Sequence, residues 1–241
     1  CTAGNVSWSW QHSKNNSTRS FQKTFITDLH TSLKGQTLTV TEIQRAAKKT
    51  FAPGLYDLTE LQRDANRRFG FSAKETLNIM QRLYENHKVL TYPRTDSRYI
   101  GADIVPTIKE RLKACSTGPY KKFIPPLLKA PIKANKSFVD DKKVSDHHAI
   151  IPTEEYAQLE HMSNEERKIY DLVVRRFISV LYPAFEYEQT TLKGLAAGET
   201  FVARGQIILS QGWRAVYNSD TFAAYDEDEP DDETDFCNHT A

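Results

Sequence analysis

Strand-like sequence stands at both ends of this 241-residue chain and helix-like sequence fills the middle. That order leaves the two ends one economical solution, which is to pair with each other, because an isolated two-stranded unit is marginal in water. Near the start, Val6-Ser-Trp8-Ser-Trp10 alternates cleanly, and Thr37 to Ile43 is rich in β-branched residues, with one helix expected from Gln22 to Lys34 between them. Near the end, Phe185 to Leu195, a turn at Ala197-Gly198, Phe201 to Leu209 and Trp213 to Tyr217 read as antiparallel strands. The expected fold is therefore mixed α and β and multidomain. Residues 1–53 and 184–225 would form one discontinuous antiparallel β-rich domain, with an all-helical domain, 54–183, inserted in it.

The insertion begins where Ala52-Pro53-Gly54 breaks the strand pattern. Thr59 with Gln62, and Ser72 with Glu75, have the spacing by which a side chain satisfies the free amides of a helix start. Two helices are expected, about 60–69 and 73–87, with Gly70 as a left-handed stop between them. Leu77, Met80, Leu83 and Tyr84 fall on one face of the second helix and read as core. A short strand from Val89 to Tyr92 follows, giving a helix-turn-helix with a β appendage, a layout common in DNA-binding modules. A further helix is expected at about 103–115. Residues 116–145, rich in Lys and Pro, read as a long, mostly irregular loop that either touches DNA or is merely solvated. Ser163 with Glu166 starts a long helix with a core stripe of Ile169, Leu172, Val173, Phe177 and Val180, which Pro183 stops.

An apolar content of 39% is enough for a real core. No apolar run approaches the ~20 residues that span a bilayer, so a soluble, cytoplasmic protein with no membrane partner is expected. Cys1, Cys115 and Cys237 are odd in number and far apart, and read as free thiols. No His, Cys, Asp or Glu cluster has metal-ligand spacing, and no phosphate-binding glycine loop suggests an ATP-driven motor. The net charge of +1 conceals an uneven distribution. Residues 226–241 hold eight acids and read as a disordered tail, while the first 225 residues carry all 32 bases and 23 of the 31 acids, a charge of +9. That body attracts a polyanion.

One stretch of the insertion carries a distinctive chemistry. Lys88-Val-Leu-Thr-Tyr92-Pro-Arg94-Thr-Asp96-Ser-Arg98-Tyr sets a phenol beside a proline-stiffened turn and close to two guanidinium groups. A tyrosine hydroxyl titrates near about 10 and needs a positioned cation or base before it attacks phosphorus; Arg94 and Arg98 are candidates for that charge. In an extended segment Arg94 falls on the same side as Tyr92, where a guanidinium can hold non-bridging phosphate oxygens in a forked contact. Taken alone, a Tyr-Pro-Arg is more often an ordinary strand exit. Trp8, Trp10 and Trp213 are open to two readings, base-stacking platforms or parts of a β core.

The wider pattern decides in favour of chemistry. Leu-Thr59-Glu-Leu-Gln62-Arg63-Asp-Ala65, Phe69-Gly70-Phe71-Ser72, Gln81-Arg82-Leu-Tyr84-Glu and Thr91-Tyr92-Pro-Arg94-Thr-Asp96-Ser97 together resemble the type IA DNA topoisomerases, the bacterial topoisomerase III group in particular. Asp146-His147-His148-Ala-Ile-Ile-Pro152-Thr153 is similar to the His-x-Ala-Ile-x-Pro element of that family, and Phe185 to Thr191 with Gly212 to Tyr217 also matches. The resemblance implies a β-rich arch acting as a hinge and a helical gate. It implies that Tyr92 is the nucleophile, forming a 5'-phosphotyrosyl link in single-stranded DNA, and that Arg94 and His147 hold phosphate. Thr95, Asp96, Gln62 and Arg63 are the further candidates for DNA contact, with Asp96 orienting Arg94 or Thr95. Nothing in residues 1–55 is similar to the family's N-terminal metal-binding (toprim) domain. The chain is therefore expected to be a central fragment that binds single-stranded DNA without cleaving it unaided, with Mg2+ supplied through the missing part and no ATP. The alternative is a helix-turn-helix DNA-binding module without catalysis.

Overall fold

The computed structural model describes residues 1–132 and 135–217, and it falls into two compact units. The acidic stretch 226–241, Cys237 and the last residues of the expected arch, 218–225, lie outside the described residues. The chain passes from the first unit to the second after Thr50, returns after Phe185, and leaves again after Gln211.

The first unit is a sheet with a thin core. β1 (Thr2–Ala3) and β2 (Val6–Ser7) form a small ribbon, and β3 (Ser9–Trp10) follows after Trp8 turns inward. α1 (Lys23–Leu33) is one residue shorter at each end than its pattern suggests. β4 (Thr39–Thr50), β5 (Phe185–Ala196) and β6 (Glu199–Ser210) complete a four-stranded sheet in the order β3-β6-β5-β4. In that sheet β3 lies beside β6 and β4 beside β5. The β5–β6 hairpin turns on Ala197 and Gly198, with φ of 51° and 79°. Two consecutive positive φ values give the turn whose twist suits a two-residue hairpin, and they explain the glycine. The core here consists of Trp8, Ala196, Phe201 and Ala203, with Trp10, Leu29, Leu33 and Leu38 packed at its edge. Trp10 donates its indole N–H to Glu199 at 2.8 Å and lies against Phe25. Trp8 and Trp10 therefore complete a β core.

The second unit holds α2 (Leu58–Phe69), α3 (Ala73–Glu85), α4 (Ile108–Ala114), α5 (Ile124–Lys129) and α6 (Asn164–Leu181) around one continuous core. The reciprocal cap of Ser72 and Glu75 on α3 and that of Ser163 and Glu166 on α6 are both formed, and Gly70 stops α2 at φ 71°. The Thr59–Gln62 box is not. Asp57, two residues earlier, caps α2 by accepting the Glu60 amide at 2.7 Å, and its carboxylate suits the positive end of the helix dipole better than a hydroxyl does.

Three other expectations change. Val89 to Tyr92 forms no regular strand; a single antiparallel bridge joins Leu90 to Pro152. The stretch 116–145 is not a solvated loop, since Tyr120, Phe123, Ile124, Leu127 and Phe138 are buried in the core. Pro125 and Pro126 sit in the first turn of α5, where the missing amide costs nothing. Trp213 to Tyr217 is no strand but part of a 3-10 turn over Gly212–Val216 that packs Val216 into the helical core, so the helical unit includes residues beyond Gln211.

α6 is the axis of this unit. It is buried all round from Ile169 to Ser179, where an amphipathic stripe was expected, and it carries Asp171, Arg175 and Arg176 inside with it. Each buried charge is paired. Arg175 binds Asp171 at 2.9 Å and donates to the Val216 carbonyl. Arg176 reaches Asp64 of α2 at 2.9 Å and the Gly54 carbonyl at 3.1 Å, while the Tyr56 hydroxyl donates to Asp64. Pairing offsets the large cost of taking ions out of water, and it pins α6 to α2 and to the chain entering it.

Candidate functional site

Tyr92 lies in the segment that follows α3, and this segment is built by crossed ties rather than by a strand. α3 ends at Glu85, and Lys88 turns the chain with φ 58°, a left-handed conformation that lysine adopts only against strain. Val89 and Leu90 then anchor in the core, with relative exposures of 2% and 0%. Beyond them, the Thr91 amide donates to Ile151 O at 3.0 Å and the Ile151 amide to Thr91 Oγ1 at 3.0 Å. Thr95 Oγ1 donates to His147 O at 3.0 Å, Leu58 N to Thr95 O at 3.0 Å, and Ala149 N to Tyr99 O at 2.8 Å. These bonds lock the Tyr92 segment to residues 147–151 and to the start of α2. Pro93, Thr95 and Ser97 are buried, whereas Arg94 and Asp96 are exposed between them.

The geometry brings Tyr92 and His147 together, with ring centroids 4.4 Å apart. It also brings in Tyr84, whose ring meets Tyr92 edge-on at 5.5 Å. Tyr92 and His147 form part of the walls of two openings. The smaller, about 240 Å3, carries Asp103 and Asp146. The larger, about 830 Å3, carries Tyr84, Lys88 and Leu90. Burial separates Tyr92 from other tyrosines of the unit. Tyr56, Tyr120 and Tyr170 are sealed in the core, and burial pushes each phenol well above its ordinary range. A buried, neutral phenol is no nucleophile toward a polymer; Tyr92 is half-exposed.

The other expected residues divide. Arg94 makes no ion pair or hydrogen bond among the described residues, so its guanidinium is available to an anion. Asp96 accepts from Ser145 Oγ at 3.1 Å and pairs with neither Arg94 nor Thr95. Arg98 is spent on structure, since its Nε donates to the Leu55 carbonyl at 3.1 Å. Gln62 donates to the Ala73 carbonyl at 3.0 Å, which ties α2 to the start of α3, and Arg63 pairs with Glu60 at 2.6 Å in solvent. His148 lies with Nδ1 2.8 Å from the Ala149 carbonyl oxygen. Tyr84 and Lys88 are the residues at this site that sequence reasoning missed. Tyr84 was expected in the core but is 37% exposed, because the buried face of α3 is Thr76, Ile79, Met80 and Leu83, one residue round from the expected stripe.

A third structural element supports the segment from α6. Glu166 accepts from Arg82 Nε at 2.7 Å and from the Ser163 amide at 2.9 Å, and lies 3.2 Å from His87 Nε2. Its burial opposes ionisation, but these partners outweigh burial and hold its carboxyl below the ordinary range. Glu166 thus fastens the end of α3, just before the Lys88 turn. Among the described residues no three His, Cys, Asp or Glu side chains come together to hold a metal ion. Nor, among them, is any helix long and apolar enough to cross a membrane.

Comparison with known proteins agrees with the motifs. The family model described as DNA topoisomerase matches residues 3–237. A DNA topoisomerase 3 of Bacillus cereus is 63% identical over 210 residues, covering 87% of this chain and 29% of that protein. The DNA topoisomerase 3 of Bacillus subtilis is 52% identical over 226 residues, covering 94% of this chain and 30% of that protein. The chain thus spans about 30% of the length of these relatives. Among solved structures, full-length topoisomerase I from Thermotoga maritima matches with a TM-score of 0.64 at 19% identity, covering 92% of this chain and 35% of that one, a likeness of fold. With its family match running across nearly the whole chain, the protein belongs to the DNA topoisomerase family, in its type IA branch.

Proposed function

We propose that this chain is the nucleophile-bearing segment of a type IA DNA topoisomerase, with Tyr92 as the attacking residue. The observation that carries this is the half-exposed Tyr92 beside His147, on a segment fastened at both ends, with Arg94 presented to solvent two residues on. The Tyr92 oxygen attacks a backbone phosphorus of single-stranded DNA, its proton leaves, and the departing 3'-oxygen takes one up. One phosphodiester replaces another, so the bond's free energy is kept and resealing requires no ATP. Arg94 meets the non-bridging oxygens and offsets the charge that grows on them. His147, whose ring lies against Tyr92, meets the same phosphate. Thr95 positions the loop rather than the substrate, since its hydroxyl is used within the protein.

In the whole enzyme the broken ends separate, a second strand passes, and the break is resealed. The β-rich unit serves as the hinge and the helical unit as the gate. Mg2+ is supplied through another part of the parent enzyme. The setting is the bacterial cytoplasm. The isolated chain binds single-stranded DNA and does not cleave it.

The test is a denaturing gel of 3'-labelled single-stranded oligonucleotide with Mg2+, run beside a native gel. This chain and its Tyr92→Phe variant are both expected to bind, with affinity falling as salt rises, and neither to form a covalent adduct. Full-length Bacillus subtilis DNA topoisomerase 3 is expected to form one and to lose it when phenylalanine replaces the tyrosine matching Tyr92. An adduct that survives that change, or a chain that binds no DNA, would sink the proposal.

A further inference from the structure

Next to Tyr92 the helical unit opens the cleft of about 830 Å3, and the attack assigned to Tyr92 leaves most of that cleft without a role. Its lining offers two chemistries to a ligand. Tyr84 presents an aromatic ring that is 37% exposed although it stands on the same helix as the core residues Met80 and Leu83. Leu90, fully buried, forms the floor behind it and offers no surface of its own. Lys88 supplies a cation that forms no ion pair among the described residues, on a backbone held at φ 58°. The Lys88 carbonyl is clamped by Thr153 Oγ1 at 2.6 Å, so the strained turn is fixed in place. The one carboxylate of the lining, Glu85, accepts from Gln81 Nε2 at 2.7 Å.

An exposed aromatic and an unpaired ammonium within one cleft match the base and the phosphate of a nucleotide. Bases stack on aromatic side chains in single-strand grooves, and cations track the backbone phosphates. Backbone strain at an ordered, non-glycine residue points to a function that holds it there. We propose that this cleft is the subsite for the nucleotide adjoining the phosphate that Tyr92 attacks, with its base stacked on Tyr84 and its outer phosphate met by Lys88. The subsite rests on the assignment of Tyr92 above. It gives the enzyme a grip on the strand that is independent of base identity, because every base has a stacking face.

The experiment measures fluorescence anisotropy of labelled oligo(dT) of about ten nucleotides, and of an abasic oligodeoxyribose phosphate of the same length, against this chain across a salt series. Tyr84→Ala is expected to weaken oligo(dT) binding at least about fivefold and to leave the abasic oligomer's affinity nearly unchanged. Tyr84→Phe keeps wild-type behaviour. Tyr84→Leu keeps apolar bulk without a stacking ring, and behaves like alanine. Lys88→Asn fits the same left-handed backbone and is expected to reduce the salt slope by about 0.7. Equal losses on both oligomers, or an oligo(dT) affinity unmoved by either Tyr84→Ala or Tyr84→Leu, would overturn the base subsite. A salt slope unchanged in Lys88→Asn would remove its phosphate half. A wild-type chain that binds neither oligomer would overturn the assignment of Tyr92 itself, which separates that failure from failure of the cleft.

Discussion

In the helical unit Arg176 and Asp64 meet at 2.9 Å with side-chain exposures of 10% and 12%, whereas in the β-rich unit Lys49–Glu186 and Lys193–Glu42 pair in solvent, at exposures between 38% and 61%. The apolar residues divide in the same way. From Ile169 to Ser179 α6 is sealed on every side, while β6 buries Phe201, Val202 and Ala203 and leaves Ile207, Ile208 and Leu209 exposed. Charge and apolar surface are thus spent differently. In one unit they fix side chains that hold a site, at the expense of desolvating ions. In the other, backbone ladders and a small core hold the sheet, and its surface ion pairs contribute little. A segment that holds a half-exposed phenol beside an imidazole benefits from the first arrangement, and a strand-built unit with a thin core yields more readily.

The contrast is broken most directly at Asp64. Asp64→Ala leaves Arg176 buried without its carboxylate, and the helical unit is expected to lose about 3–5 kcal/mol, read as a lower urea midpoint by tyrosine and tryptophan fluorescence and by circular dichroism. A loss below about 1 kcal/mol would show that water or Arg176's other partners suffice. An intermediate effect is expected at Glu166. Glu166→Gln keeps a side chain able to cap α6 but loses the charge that binds Arg82, a partner that is 44% exposed, so the loss is expected to be about 1 kcal/mol at neutral pH. The sign with pH follows from its lowered folded-state pKa. The stability Glu166 contributes is complete above the ordinary value of 4.5 and is lost as pH falls through the lower folded value. Urea midpoints of the two proteins should therefore converge on acidification; a gap that stays constant to pH 3 would refute the linkage. The smallest effect belongs to the β-rich unit. Ile207 is 61% exposed, and Ile207→Thr is expected to change thermal stability by no more than about 0.5 kcal/mol; a larger loss in a melting curve would mean that this face is covered.

Local chemistry made much of the fold legible. The caps at Ser72 and Ser163, the stop at Gly70 and the Ala197-Gly198 hairpin each satisfy backbone groups within a few residues, so the sequence carries them without reference to the rest of the molecule. Failures came where two local options compete or where burial is set from outside. Asp57 displaced Thr59 as the cap of α2. The stretch after Cys115 looked like loop because lysine and proline dominate its composition, yet the core is filled by its sparse Tyr120, Phe123, Ile124, Leu127 and Phe138. Tyr84 sits at the edge of a helical stripe, and only the packing of the neighbouring elements determines on which side of that edge a ring falls.

The site shows the same division. Tyr92, Arg94 and His147 stand out in the sequence because motif and residue type travel together, and Gln62 and Arg63 stand out as readily, although their side chains are tied to Ala73 and Glu60. By itself the sequence determined the family, the caps at Ser72 and Ser163, the stop at Gly70 and the phenol-and-guanidinium segment, all of which depend on residues near one another along the chain. The tertiary structure alone decided that His147 lies against Tyr92, that Arg98 is used on Leu55, and that Tyr84 and Lys88 share a cleft with the phenol. Those outcomes depend on hydrogen bonds and burial between segments distant in sequence, such as Thr91 with Ile151 and Thr95 with His147, and no local pattern encodes which distant partner will arrive.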